Sequence, residues 1–488
     1  MLNLTCIRLG KKKVDHLAVP VAEDADMYTL PELSSLIDKA RATGEFQGEK
    51  GQQVVLYDLL DGKVKRCLFL GLGPVDKIDP ETLRRAAGRA VKASMTAKTP
   101  DAILAVPSKS LAFDHQTAIT AMAEGAYLAN HVFIRYKDKP KNDRVKKISL
   151  LVPTGAANSA KARVSEVETI CGNTLRARDW GNTPANDKPP EVLAGLFQKA
   201  AQAAGLKTSV WNENRLAHQK FGALLAVSAG SHHPPRLVEM IYTPQRADKT
   251  IVLVGKGVTF DTGGISIKPA KGMAAMKADM AGAAAVAGTM LAVTRLKPGH
   301  RIIGITPLVE NMPSGTAVRP GDIITSYSGK TIEVGNTDAE GRLILADAMA
   351  YAEKKYKPDL MIDLATLTGA CVVALGEKIA GVFSRDKDLT DAILTAAGAT
   401  HERCWPMPMP EDYKALMKSD YADISNNASS PYGGAVTAAV FLAEFVDKTR
   451  WAHIDIAGPG FLGKGNDYCG PGATGFGVRL LCALLSGL

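Results

Sequence analysis

Acids and lysines able to converge on a ligand are concentrated in three short segments of the second half of the chain. The first reads Val254-Gly255-Lys256-Gly257-Val258-Thr259-Phe260-Asp261-Thr262-Gly263-Gly264. Its Lys256 and Asp261 follow an apolar stretch and lie among glycines, where the backbone can approach a bound group closely. Lys268 comes next, ahead of Met276-Lys277-Ala278-Asp279, and the third segment reads Asn336-Thr337-Asp338-Ala339-Glu340-Gly341-Arg342. Asp261, Asp338 and Glu340 thus stand in glycine-rich or helix-entry settings, with a fourth acid at Asp279. Together with the lysines they could build a carboxylate-and-amine site.

Taken singly, each has a plainer reading. Asp338 and Glu340 could cap and charge the N-terminus of a helix beginning near Arg342. Asp261 could stabilise a turn. Asp279, read as lying in the second turn of an alanine-rich helix, could be a solvated face or a salt-bridge partner. Lys256 is harder to dismiss as surface, because its Gly-Lys-Gly turn directly follows a buried strand. Other chemistries have less support. Neither Gly71-Leu72-Gly73-Pro74 nor Gly255-Lys256-Gly257 completes a dinucleotide fingerprint, and no complete Walker pattern ends in Gly-Lys-Ser/Thr. No Gly-x-Ser-x-Gly elbow occurs. His232-His233, followed by two prolines, reads as loop rather than a zinc pair, since adjacent histidines do not share a helix face.

The elements that must position these residues can be read from apolar patterning. Gln53–Leu60 and Val64–Gly71 flank Asp61-Gly62-Lys63, a hairpin signal. A helix over Pro80–Ala97, strands at Ala102–Val106 and Ile148–Val152, and a helix near Gln116–Asn130 complete an α/β unit over residues 1–156. Residues 157–178 read as a connecting helix. Residues 179–488 form a second α/β domain, with strands at Thr208–Trp211, Ile251–Val254, Ile302–Pro307, Leu360–Asp363 and Ala452–Ile456. Between them lie helical patterns at Met273–Thr294, Leu343–Tyr356 and Ala435–Asp447. This alternation predicts a largely parallel sheet flanked by helices, with ligands beyond the carboxyl ends of its strands.

Composition bounds the answer. The chain has 488 residues, 46% hydrophobic and 22% charged, which suits two or three ordinary globular domains. Seven scattered cysteines without a Cys-x-x-Cys pair read as reduced thiols of a cytoplasmic protein. No signal peptide or membrane-spanning segment is expected. The net charge of +9 leaves nucleic acid open as a partner. However, the basic runs at Lys11–Lys13 and Lys137–Lys147 are short and lack interleaved aromatics, so solvated surface is the simpler reading.

As a set, Val254–Gly264, Lys268, Met276–Met280, Asn336–Leu343 and Thr366-Leu367-Thr368-Gly369-Ala370 resemble the cytosolic leucyl aminopeptidase family of dinuclear metallopeptidases. Asn-Thr-Asp-Ala-Glu-Gly-Arg is that family's signature. Further matches are Asn182-Thr183-Pro184-Ala185-Asn186, Gly230-Ser231 with Pro234-Pro235, and Trp451-Ala452-His453-Ile454-Asp455-Ile456-Ala457-Gly458. The resemblance spans Cys171 to Cys482, whereas the first region matches only in its α/β pattern.

The resemblance implies that Asp261 and Glu340 bridge two divalent metals, that Asp338 completes the more exchangeable site, and that Lys256 and Asp279 complete the tighter one. Oxygen donors suit Zn²⁺ or Mn²⁺, with Co²⁺ and Mg²⁺ as alternatives. A ligating lysine must be neutral, and burial beside a dication pushes it that way. Four acids balance two dications, and without metal they would crowd together unpaired. Lys268 and Arg342 become the catalytic pair, Arg342 holding a bicarbonate ion. Met276, Asp279, Thr366, Leu367, Gly369 and Ala457 become substrate-binding residues, and Gly460, bulkier in some relatives, implies a roomier pocket. The implied protein is a homo-hexameric aminopeptidase acting on peptides with a free N-terminus, leucine or another apolar residue first. Its rival is a catalytically idle, basic interaction or DNA-binding protein on the same scaffold.

Overall fold

In the computed structural model, residues 3–7, 13–138 and 144–488 are described. Parts of the two basic runs, Lys11, Lys12 and residues 139–143, lie outside them. The chain divides into two compact units, Met1–Gly172 with Lys464–Gly470, and Asn173–Gly463 with Pro471–Leu488. The division falls within the helix Ala157–Asn182, which runs past Arg178 through Trp180 and Gly181.

In the first unit β1 (Asn3–Ile7), β2 (Leu17–Ala22), β3 (Gln53–Leu59), β4 (Val64–Gly73), β5 (Asp101–Ala105) and β6 (Lys147–Leu151) form one sheet in the order β1-β6-β5-β2-β4-β3. Its pairs are parallel except for the β3–β4 hairpin, whose turn places Leu60, Asp61 and Gly62 at positive φ. Helices Pro80–Thr96 and His115–Ala129 start where aspartates, Asp79 and Asp114, accept from the backbone N–H of Thr82 and Thr117. Between these helices the buried Arg84 is held by Glu81 at 2.6 Å and Glu124 at 2.7 Å. A buried charge is tolerable on such terms.

The second unit is built on a nine-stranded, mostly parallel sheet. It comprises β7 (Lys207–Trp211), β8 (Arg236–Tyr242), β9 (Thr250–Gly255), β10 (Gly257–Asp261) and β11 (Arg301–Asn311). The small strands β12 (Ile323–Thr325) and β13 (Thr331–Glu333) lie apart, and the main sheet resumes with β14 (Leu360–Ala365), β15 (Ala380–Phe383) and β16 (Cys404–Met407). After β17 (Ile424–Ser425), which joins β12 and β13 in a sheet of three, β18 (Arg450–Asp455) completes it. The order is β16-β15-β18-β14-β9-β11-β8-β7, with β10 on β11. Strands β11, β9, β14 and β18 run parallel, so their carboxyl ends share one edge. The central strands β9 and β14 are apolar almost throughout and buried on both faces, as a helix-covered parallel sheet requires.

Helices Ala281–Leu296 and Glu340–Tyr356 pack on this sheet, and both begin differently from the sequence expectation. The span expected as one helix from Met273 is broken: Ala270–Met273 and a 3-10 turn Ala274–Ala278 precede Asp279, and the regular helix starts only at Ala281. Asp279 therefore stands at a turn, not on a helix face. The stretch Ala270–Leu296 is long and apolar enough to cross a membrane by composition, but 89% of its apolar window is buried inside the protein. The helix expected from Leu343 starts at Glu340, and no side chain caps it. Asp338 and Glu340 are thus not its caps.

Candidate metal centre

Three chain segments meet beyond the carboxyl edge of the sheet. Lys256 follows β9 directly, its N–H bonded to the Leu364 carbonyl of β14 at 3.0 Å and its carbonyl accepting from Ala283 at 2.8 Å. Asp261 ends β10 at a register shift opposite Asn311. Asp279 is pinned by its carbonyl, which accepts from Val258 at 3.3 Å. The 262–268 loop and the signature segment are stitched together: Thr337 Oγ1 donates to the Gly263 carbonyl at 2.6 Å and accepts from the Ser266 N–H at 2.8 Å.

These supports bring the four acids and two lysines into one cluster. Lys256 Nζ lies 2.9 Å from Asp279 Oδ2 and 2.8 Å from Glu340 Oε1, and donates to the Thr366 carbonyl at 2.9 Å. Lys268 Nζ lies 2.7 Å from Asp261 Oδ2 and 2.5 Å from Asp338 Oδ1. Asp261, Asp338 and Glu340 offer oxygens within 4.8 Å of one another. Each lysine thus serves two acids. The expectation that the acids would stand unpaired without metal is corrected: the ammonium groups neutralise half of their charge.

The remaining charge shows in the acid equilibria. Burial, then the Asp261 charge, pushes Glu340 up to about 8 although Lys256 pulls the other way. Burial likewise raises Asp279 to about 6 against the pull of Lys256, and raises Asp338. Burial alone would lower the Lys256 ammonium, but Asp279, Glu340 and Asp261 outweigh it and raise it. Without a neighbouring dication these carboxylates thus favour the ammonium, and a cation taking Lys256 as ligand must displace a proton. Glu340 Oε2 is buried without a hydrogen-bond partner, a costly arrangement that a bound cation would relieve. Buried oxygen donors, surplus negative charge and an orphaned carboxylate oxygen all fit divalent metal.

Gly341 makes the crowding possible. A Cβ there would sit 2.6 Å from Lys256 Cε and 2.8 Å from Nζ, so the lysine lies where any other residue's side chain would begin.

Three supporting residues escaped the sequence reading. Asn311 Nδ2 donates to Asp261 Oδ1 at 2.9 Å and to the Thr337 carbonyl at 3.1 Å. Asn426, fully buried just after β17, accepts on Oδ1 from the N–H groups of Gly335 and Asn336 and donates from Nδ2 to the carbonyls of Asn336 and Ala339. Lys188, shortly after the Asn182–Asn186 motif, donates to the carbonyls of Trp180, Gly181 and Lys277. Only the Lys188 position had a signal, through its neighbouring motif.

The other expected site residues lie around the cluster. Arg342 is buried, donates from Nη1 to the Asn426 carbonyl at 2.7 Å, leaves Nε without a partner, and is lowered by burial to about 10. Thr366 Oγ1 donates to Asp279 Oδ1 at 2.7 Å. Met276 is half-buried in the 3-10 turn, and its carbonyl accepts from the Asp279 N–H at 3.2 Å. Leu367 and Ala457 donate their N–H groups to Asp455 Oδ1, and Gly369 starts the helix Gly369–Leu375. In the 451–458 motif, Trp451 and His453 both bind the buried carboxylate of Asp363, at 2.8 and 2.6 Å. A Cβ on Gly460 would lie 2.8 Å from the Ile456 carbonyl oxygen and 3.2 Å from Thr366 Cγ2, so the space its missing side chain leaves is filled by packing. His232 and His233 lie outside helices and strands, His233 facing Glu191 at 3.2 Å.

A buried cluster of acids short of positive charge, at the carboxyl edge of a mostly parallel sheet, has the character of a metal-dependent hydrolase site. The chain belongs to the cytosol aminopeptidase family: residues 175–482 match its catalytic domain and residues 19–140 its N-terminal domain. The first region, legible in the sequence only as an α/β unit, is thus part of the family's architecture. A "Probable cytosol aminopeptidase" of Chlorobium limicola is 42% identical over 99% of both chains, and one of Geobacter sp. (strain M21) is 43% identical over 93% of this chain and 92% of the relative. Among solved structures, the bottromycin maturation enzyme BotP in complex with Mn is 34% identical, with a TM-score of 0.87 over 97% of this chain and 99% of that one.

Proposed function

We propose that the protein is a cytoplasmic two-metal aminopeptidase that removes leucine or another apolar residue from the N-terminus of peptides. The observation that carries this reading is the joint placement of Lys256 between Asp279 and Glu340 and of Lys268 between Asp261 and Asp338. In this reading Asp261 and Glu340 would be shared by the two cations, Asp338 would serve the exchangeable one, and Lys256 and Asp279 would serve the tighter one. Zn²⁺ or Mn²⁺, with Co²⁺ or Mg²⁺ as alternatives, would supply a water of lowered pKa and polarise the scissile carbonyl.

The chain's own groups do the rest. Lys268, partly exposed and held as a cation by Asp261 and Asp338, stabilises the oxyanion. Arg342, with its free Nε and planar fork, would hold a bicarbonate ion, which would supply a general base. Asp279 orients the substrate's α-amine, and Met276, Thr366, Leu367, Gly369 and Ala457 enclose its first side chain. The active form is a homo-hexamer, for which light scattering at a single-chain mass in an active preparation would be the contrary result.

The functional test compares a leucyl peptide with its N-acetylated form, with and without added Mn²⁺ or Zn²⁺, following products by mass spectrometry. An acylated nitrogen has lost its basic lone pair and should bind poorly, and losing that anchor should also slow turnover. Metal-dependent release of single residues from the free peptide alone is expected. Equal cleavage of both forms, or early internal fragments, would overturn the exopeptidase reading.

A further inference from the structure

Asp455 is the last residue of β18, fully buried, and neither a member of the acid cluster nor one of the pocket residues named above. Its two oxygens gather three donors. Oδ1 accepts the N–H of Leu367 at 3.1 Å and the N–H of Ala457 at 3.0 Å, and Oδ2 accepts Thr368 Oγ1 at 2.7 Å. The donors belong to the two segments that leave the adjacent parallel strands β14 and β18, whose last paired residues are Ala365 and Asp455. One further backbone bond, Ile456 N–H to the Ala365 carbonyl at 2.8 Å, follows before the segments part. One carries Thr366, Leu367 and Gly369, the other Ala457.

We propose that Asp455 is a positioning residue that fixes the distance between these two walls, and so sets the enzyme's selectivity for the first residue of its substrate. The proposal rests on the aminopeptidase reading, from which the pocket residues are taken. A carboxylate forms stronger and shorter hydrogen bonds to N–H and O–H donors than a neutral acceptor does. Ending a strand with a buried carboxylate costs desolvation that an apolar residue would avoid. What the carboxylate adds is one rigid node on which both walls close. Thr368 extends the node, because its hydroxyl also accepts from the Cys371 N–H at 3.0 Å and so caps the helix Gly369–Leu375. The wall on the β14 side is thereby fixed at two points, by the helix start and by Asp455. A pocket discriminates between side chains differing by a methylene only while its walls stay in place.

The test uses the metal-loaded full-length enzyme and measures kcat and KM for leucyl, alanyl and phenylalanyl substrates beside bound metal. The variants are Asp455→Asn, Thr368→Val and Thr368→Ser. Asp455→Asn keeps the shape and the Oδ1 acceptor but removes the charge. Thr368→Val removes one donor and leaves the carboxylate, and Thr368→Ser restores the hydroxyl. Asp455→Asn and Thr368→Val should keep wild-type metal content yet lose about tenfold in the leucyl-to-alanyl ratio of kcat/KM, with Thr368→Ser close to wild type. If Asp455→Asn does not fold, the two Thr368 variants decide the matter. Wild-type selectivity in Asp455→Asn or Thr368→Val overturns the proposal, as does an equal loss on every substrate with falling metal content, which would mark mere structural support. A wild-type enzyme inactive on all three substrates would instead overturn the aminopeptidase reading, and the positioning role of Asp455 with it.

Discussion

The carbonyl oxygen of Asn426 accepts a hydrogen bond from Nη1 of Arg342 at 2.7 Å, while the side chain of the same asparagine binds the backbone from Gly335 to Ala339. One buried residue thus holds both the turn that presents Asp338 and Glu340 and the guanidinium beyond it. Asn426→Ala keeps the carbonyl and removes the four side-chain bonds. Groups that orient metal ligands commonly contribute one to two orders of magnitude, so Mn²⁺ affinity should fall about 10- to 100-fold with the fold retained. Calorimetric titration with Mn²⁺ measures it, and unchanged affinity would mean that the turn holds its shape unaided.

Metal binding and transition-state stabilisation should separate between Glu340 and Lys268. Glu340 Oε2 is buried and unpartnered, so Glu340→Ala should lower bound metal. Lys268 is an ammonium between Asp261 and Asp338, and Lys268→Ala removes a positive charge that competes with metal. That variant should keep its metal yet lose turnover by about 10²- to 10³-fold. Elemental analysis beside steady-state kinetics distinguishes the two. Full metal occupancy in Glu340→Ala would take Glu340 out of the ligand set.

The sequence revealed elements whose apolar runs stand alone and site residues carried by contiguous motifs. Strands β9 and β14, with Lys256, Asp261, Asp338 and Glu340, were legible on those terms. Strand β8 was not, because Glu239 interrupts its apolar run; the structure satisfies that carboxylate with Ser209, Tyr351, Tyr356 and Lys355. The break before Asp279 was hidden because an alanine-rich stretch reads as helix from end to end, while the turn is held by contacts with β10. Asn311 and Asn426 act on backbone far away in sequence, a relation that no local pattern encodes.

Gly341 should tolerate no side chain. An added methyl group would meet Lys256 Cε, Cδ and Nζ at 2.6 to 2.8 Å, and the lysine could yield only by leaving Asp279, Glu340 and the Thr366 carbonyl. Gly341→Ala should therefore bind less metal and lose about 1–3 kcal/mol of stability, the usual effect of overpacking. Elemental analysis and urea unfolding measure the two effects. Wild-type values in both would show that Lys256 has room to move.

Lys188 provides a pH test outside the acid cluster. Its Nζ is fully buried and, as an ammonium, donates to three carbonyls, of Trp180 at 2.8 Å, Gly181 at 3.3 Å and Lys277 at 2.5 Å, of which a neutral amine keeps two. These bonds tie the end of the helix Ala157–Asn182 to the turn that leads into Asp279. Burial, and then the charge of Lys277, push its ammonium down from 10.5 to about 7. In the unfolded chain the lysine keeps its proton up to its ordinary value. Between the two values the unfolded state binds more protons than the folded one, so this group makes stability rise with pH, and the gain is lost as pH falls towards 7. Lys188→Met removes the titration together with the three bonds. The stability difference, wild type minus variant, should therefore grow between about pH 7 and pH 10, by at most about 1.4 kcal/mol per pH unit. Urea unfolding of both proteins across that range measures it. A flat difference would mean that the folded lysine keeps its proton, the three carbonyl acceptors outweighing burial.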